Sequence, residues 1–240
     1  MFKGACLDPR TEKRGPPVYD KAARAADLEK LWSALEARGA PVTPVGCDRI
    51  LKYLAVLEEW SPKINLVGPK EFARIVARHL GDSLLAWVAI MQACRGRADL
   101  SACVDIGSGA GFPGLAVAAA WDVGFTLVES DGRKAGFLTA AAEAAGIQCV
   151  KVENRRWEAP DPGRTWSLCV SRAVFADWRN LKGFEHRLTP GGGLWLWRSD
   201  AWSRDLAGGF LRPDLEETYI GLEGESRRLW GYLKRDKKRG

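Results

Sequence analysis

The stretch Asp105-Ile106-Gly107-Ser108-Gly109-Ala110-Gly111-Phe112-Pro113-Gly114 decides how this chain of 240 residues is read. Ala102 to Ile106 enters it as a short apolar run with strand character, and Leu115 to Ala120 leaves it as a helix of small residues. Glycine lacks a Cβ, so glycines between a strand and a helix turn the backbone where other residues are strained and bring it close to a ligand. Gly109, Gly111 and Gly114 satisfy G-x-G-x-x-G, a pattern that a nicotinamide dinucleotide site shares and that a tight corner without a ligand also produces.

Downstream of the loop, short apolar runs alternate with helical segments. Ala102 to Ile106, Phe125 to Glu129, Cys149 to Glu153, Ser167 to Val170 and Leu194 to Trp197 are predicted strands, and segments starting near Pro113, Gly132 and Ala176 are predicted helices. This alternation predicts an α/β fold with a doubly wound sheet. Glu217 to Leu222 and Arg227 to Leu233 predict a closing hairpin. Upstream, apolar residues at helical spacing predict helices over Asp20 to Arg38, Asp48 to Trp60 (stopped by Pro62) and Pro69 to Met91, whereas Met1 to about Tyr19 has the composition of a disordered leader. The chain is therefore divided into a leader with one helix (1–47), a helical cap (48–100) and a sheet domain with a basic end (101–240).

At 46% hydrophobic and 28% charged residues, the chain has the material for a sizeable core without disulfide or metal staples. Apolar stretches such as Leu84 to Met91 fall far short of the ~20 residues that span a bilayer. With no signal peptide either, the chain is expected to be cytoplasmic and to have no membrane partner. Six cysteines without a C-x-x-C pair predict buried thiols, and two histidines are too few for a zinc site or a triad, so no metal is expected. The net charge is +6, and Ser226 to Gly240 holds seven basic residues against Asp236. Such an end suits a polyanion such as RNA, although solubilising tails share this composition.

Three features favour S-adenosylmethionine over a dinucleotide. Asp105, at the strand's carboxyl end, would repel a pyrophosphate but attract the ammonium of a methionine moiety. Glu129 ends the next strand twenty-two residues after Gly107, where a carboxylate accepts ribose hydroxyls. Pro190-Gly191-Gly192-Gly193 makes a corner before Leu194 of the kind found in class I methyltransferases.

At this point the sequence resembles the small-subunit ribosomal RNA guanine-N7 methyltransferase family, also known as glucose-inhibited division protein B. The resemblance runs from about Arg49 to Arg235. It is carried by Trp60 with Asn65-Leu66, by Arg78-His79-Leu80-Gly81-Asp82-Ser83-Leu84, by the loop with its Gly-Phe-Pro-Gly ending, by Glu129-Ser130 with Arg133-Lys134 and Phe137-Leu138, by Arg156-Trp157-Glu158 and by Ser171-Arg172-Ala173. It implies a Rossmann-like, doubly wound, mostly parallel seven-stranded sheet with an N-terminal helical extension. It further implies methyl transfer from S-adenosyl-L-methionine to a guanine N7 in the 530 loop of 16S ribosomal RNA. The implied cofactor contacts are Gly107, Phe112, Glu129, Trp157, Glu158 and Arg172, to which the reading of the glycine loop adds Asp105, Gly109 and Gly111. The family usually has aspartate at Glu129, a small residue at Trp157 and Lys-Gly at Arg198-Ser199. A fold-retaining RNA-binding module and a nucleotide-dependent oxidoreductase are the alternatives, and a monomer is favoured.

No general base is required, because guanine N7 already presents a lone pair; the candidates for positioning substrate are Arg172 and Arg198. Arg172 is read as a fork for a methionine carboxylate or an RNA phosphate, or as an ion pair. His79 is read as a buried, hydrogen-bonded residue fixing the cap, or as part of a face closing over cofactor or base. Arg78 and Asp82 are predicted to pair at i, i+4. Candidate RNA contacts are Arg133, Lys134, Arg155, Arg227, Arg228, Lys234 and Arg235.

Overall fold

The computed structural model describes residues 21–94, 99–158, 163–172, 184–198 and 215–234. The predicted leader before Asp20, the helix near Ala176, Ser199 and the candidate Arg235 lie outside the described residues, as does the side chain of the candidate Arg198.

Seven strands, β1 (Cys103–Ile106), β2 (Phe125–Glu129), β3 (Val150–Asn154), β4 (Trp166–Arg172), β5 (Leu188–Arg198), β6 (Leu215–Ile220) and β7 (Ser226–Leu233), form one sheet in the order β3-β2-β1-β4-β5-β7-β6. The first five run parallel, and β7 inserts antiparallel between β5 and β6. The expected hairpin is thus present, and β4 reaches through Arg172 rather than ending before it. β5 starts earlier than Leu194: Trp166 pairs with Leu188 but Leu168 with Gly193, so the glycine corner is a bulge inside the strand, with Gly191 at φ 73°.

The helices are α1 (Lys21–Glu36), α2 (Pro44–Ile64), α3 (Pro69–Phe72), α4 (Asp82–Cys94), α5 (Gly114–Trp121) and α6 (Gly132–Ala144). Thr43 caps α2 by accepting from the Gly46 N–H at 3.1 Å. Pro62 does not stop α2, which continues past it to Ile64; Asn65 in the left-handed region ends the helix instead. The single helix predicted over Pro69–Met91 is broken, with a π-helical segment, Val76–Gly81, before α4. The helical ladder opens where polar side chains enter: the Ser83 hydroxyl donates to the His79 carbonyl at 2.6 Å, and the Arg172 guanidinium lies at 3.4–3.5 Å from the carbonyls of Arg78 and His79. That shift also undoes the predicted Arg78–Asp82 pair; Arg78 instead lies 4.0 Å from Glu223.

One continuous core joins the cap to one face of the sheet, with Leu31, Leu54, Ile75, Leu80, Leu84, Leu115 and Phe137 packed against Leu127, Val170 and Trp195. Each such side chain contributes roughly 2 kcal/mol when fully buried. The other face carries a smaller cluster, including Val104, Ile106, Val128, Trp157, Trp166, Cys169, Leu194 and Leu196. Among the described residues no helix is long and apolar enough to cross a membrane, and no group of His, Cys, Asp and Glu could hold a metal.

Candidate methyl-donor and RNA site

β1 lies between β2 and β4, and the chain leaves it toward one neighbour and reaches the other later, so the loop after Ile106 stands at the topological switch point. Gly107, Gly109 and Gly111 take positive φ of 71°, 54° and 92°, a region that favours glycine. A Cβ on Gly111 would stand 2.8 Å from the Tyr53 Oη, and one on Gly114 would stand 2.7 Å from the Asp105 Cβ. Gly109 differs, since its Cβ would meet nothing nearer than 3.8 Å; this glycine faces open space.

Polar groups fix the loop from three sides. Gly109 N–H donates to the Glu129 Oε2 and Asp131 N–H to its Oε1, both at 2.9 Å. Gly114 N–H donates to the Asp105 Oδ2 at 2.9 Å, and the Tyr53 hydroxyl of α2 donates to the Ala110 carbonyl at 2.5 Å. Glu129 is therefore a loop-organising residue as well as a ribose candidate; each of its oxygens retains a lone pair for a further donor.

Asp105 is fully buried, and its Oδ1 has no hydrogen-bond partner among the described residues. Burial pushes its carboxyl up to about 7, against the pull of the Gly114 N–H and the Ser108 hydroxyl. A buried carboxylate with an unpaired oxygen at a strand end attracts a cationic group, so the residues present fit a ligand bearing an ammonium.

The other candidates divide. Phe112 is buried, its ring 5.6 Å from that of Tyr53 and 5.4 Å from that of His79, so it holds the loop to the cap. Trp157 is also buried, stacked on Phe184 at 5.4 Å with the Arg187 guanidinium 4.7 Å from its ring, while Glu158 is exposed. Arg172 turns its fork onto the cap: its guanidinium lies 2.8 Å from the His79 Nδ1 and 3.6 Å from the Asp82 Oδ2. Of its readings, the ion pair with a hydrogen-bonded latch is the one the geometry displays.

The RNA candidates also separate. Arg155 donates to Glu153 at 3.0 Å; burial pushes the Glu153 carboxyl up, but hydrogen bonds from Lys151, Arg164 and Arg155 outweigh it and hold it near 2. Lys234 donates to the Leu188 carbonyl at 2.5 Å, at the amino edge of β5 and hence at the far edge of the sheet from the loop. Arg133 and Lys134 open α6 beside the loop over the Asp131 cap. Arg227 and Arg228 enter β7 at the loop edge, Arg228 paired in register with Arg198, though Arg227 binds Glu225 at 2.9 Å and Arg228 lies 4.0 Å from Glu216.

Sequence reasoning missed three residues. Tyr53 sits on the same stripe as Ile50, Leu54 and Leu57, and its hydroxyl on an apolar stripe was the available signal. Asp82 carried only the predicted pairing with Arg78, and Tyr219 gave no signal: the Tyr219 hydroxyl donates a short hydrogen bond to the buried Asp82 carboxylate, near which Arg227 also stands, at 3.9 Å.

The chain matches the family model described as rRNA small subunit methyltransferase G over residues 46–205. A ribosomal RNA small subunit methyltransferase G from Cellvibrio japonicus (strain Ueda107) is 35% identical over 149 residues, 60% of this chain and 65% of its own length. This chain thus spans just under two thirds of that relative. The protein of the same name from Halorhodospira halophila (strain DSM 244 / SL1) is 32% identical over 178 residues, 74% of this chain and 81% of its own. Among solved structures, a putative O-methyltransferase from Klebsiella pneumoniae is similar in fold, with a TM-score of 0.51 at 16% identity over 87% of this chain and 96% of that one.

Proposed function

The chain belongs to the rRNA small subunit methyltransferase G family, and from that premise we propose that it methylates N7 of a guanine in the 530 loop of 16S ribosomal RNA with S-adenosyl-L-methionine as donor. The observation that carries the donor assignment is the buried Asp105 with its unpaired Oδ1 at the end of β1. That oxygen would receive the donor's ammonium, and Glu129 the ribose hydroxyls, while Gly109 leaves room for the donor to approach the backbone. When bound, the donor supplies an electrophilic methyl group on a sulfonium, which the N7 lone pair of guanine takes with the C–S electron pair left on sulfur and no proton moved.

The protein's task is then alignment and exclusion of water rather than acid–base work, effects worth several kcal/mol. Arg172 contributes by holding the cap to the sheet end, and Arg133, Lys134, Arg227 and Arg228 lie at the edge where RNA phosphates would arrive. The test is methyl incorporation from labelled donor into small ribosomal subunits from a strain lacking this protein, followed by mapping of the base. Labelled 7-methylguanine in the 530 loop is the expected result. Label at another base would overturn the target, and donor binding without label would leave a binding module.

A further inference from the structure

His79 occupies the cap side of the glycine loop, its ring centroid 5.4 Å from that of Phe112. Arginine has no acceptor, so the 2.8 Å contact between the Arg172 guanidinium and the His79 Nδ1 makes Nδ1 the acceptor. The imidazole is therefore the Nε2–H tautomer. This Nε2 is buried and without a hydrogen-bond partner among the described residues; Glu71, at 3.8 Å, is beyond bonding distance. Burial and the neighbouring Arg172, Arg78 and Arg227 push the imidazole's pKa down to about 3, which keeps it neutral at working pH.

We infer that His79 is a specificity-determining residue whose Nε2–H donates to O6 of the target guanine. The inference rests on the guanine-N7 reading above. N7 and O6 share one edge of guanine, both acceptors, whereas adenine presents an N6 donor beside its N7. A nucleotide whose N7 reaches the methyl at the switch point brings O6 alongside, and a fixed donor there accepts guanine and opposes adenine. Neutrality matters as well: the purine gains positive charge as the methyl arrives, and an imidazolium at O6 would oppose it.

Two substitutions separate this role from the latch to Arg172. In His79→Asn the side-chain oxygen takes the place of Nδ1 and retains the acceptor for Arg172, but no donor remains at the position of Nε2. In His79→Gln the amide reaches the Nε2 position and retains a donor. Each enzyme is assayed on small subunits reconstituted with ribosomal RNA carrying guanine or 2-aminopurine, which lacks O6, at the target. The unaltered protein should lose about tenfold in kcat/KM when O6 is removed, the equivalent of one hydrogen bond. His79→Asn should lose about tenfold on guanine and nothing further on 2-aminopurine, while His79→Gln keeps most of the discrimination. A His79→Asn enzyme that still discriminates by O6, or a His79→Gln enzyme that alone is impaired, overturns the inference and leaves His79 as a latch. Absence of 7-methylguanine with the unaltered protein instead removes the reading on which it rests.

Discussion

The glycine loop and the cluster around Asp82 stand at the same edge of the sheet but are assembled in opposite ways. Within the sheet domain, loop contacts join residues close in sequence, Gly114 to Asp105, nine apart, and Gly109 to Glu129, twenty apart, with the Tyr53 bond to Ala110 across 57 residues as the long-range exception. The Asp82 cluster joins the cap to the last hairpin, with Tyr219 137 residues from Asp82 and Arg74 bound to Glu223 across 149. The loop is a piece of backbone shaped by its own glycines; the cluster is an ionic knot, buried at Asp82 and Tyr219 and exposed at Arg74 and Glu223, that ties the cap to the hairpin. The difference teaches that one site edge draws on local chemistry and long-range assembly, and each half fails differently.

Asp82→Ala tests the knot most severely. It takes the acceptor from Tyr219 and the carboxylate from Arg172 and Arg227, and is expected to cost about 3 kcal/mol. The readout is a lowered Tm, with hydrogen exchange rising together in residues 76–94 and 215–233; an unchanged Tm would make the knot ornamental. Gly114→Ala tests the loop. Its Cβ would overlap the Asp105 Cβ and the Leu127 Cδ2, both at 2.7 Å, so a loss of about 2 kcal/mol and of donor binding is expected by calorimetry, without altered exchange in the hairpin.

A smaller effect follows from the Asp105 carboxyl at about 7. Below that pH a proton must leave before a cationic ligand binds, so donor affinity should fall about tenfold per pH unit below 7 and level off above it. For the protein alone the sign reverses. The folded state holds a proton that the unfolded carboxyl, at 3.8, has released, so stability present at low pH is lost as pH rises through 7. Titration calorimetry from about pH 5.5 to 8 checks the first statement, and a flat affinity would remove Asp105 from the ammonium. Smallest of all, Tyr53→Phe deletes the bond to the Ala110 carbonyl and should cost about 1 kcal/mol, seen as a slightly lower Tm.

These differences also mark what could be read from residues alone. The alternation after Ser101 predicted the five parallel strands, and the loop motif located the switch point, because period and glycine placement are local properties. Boundaries failed where tertiary contacts intervened: Arg172 opens the helix predicted over Pro69–Met91, and a bulge at Gly191 lengthens β5. Side-chain roles were least legible. Arg155, Arg172 and Lys234 are cations by sequence, but their partners, Glu153, His79 and the Leu188 carbonyl, are set by packing.

The antiparallel entry of β7 between β5 and β6 has a consequence in time. On a ribosome making roughly 5–20 residues per second, Tyr219 follows Asp82 by 137 residues, an interval on the order of ten seconds. During it the residues that make the glycine loop's polar contacts, the last of them Asp131, are all synthesised while the cap's lock is not. The chain therefore emerges with every residue of the loop's own polar contacts in hand well before the residue that fastens the cap.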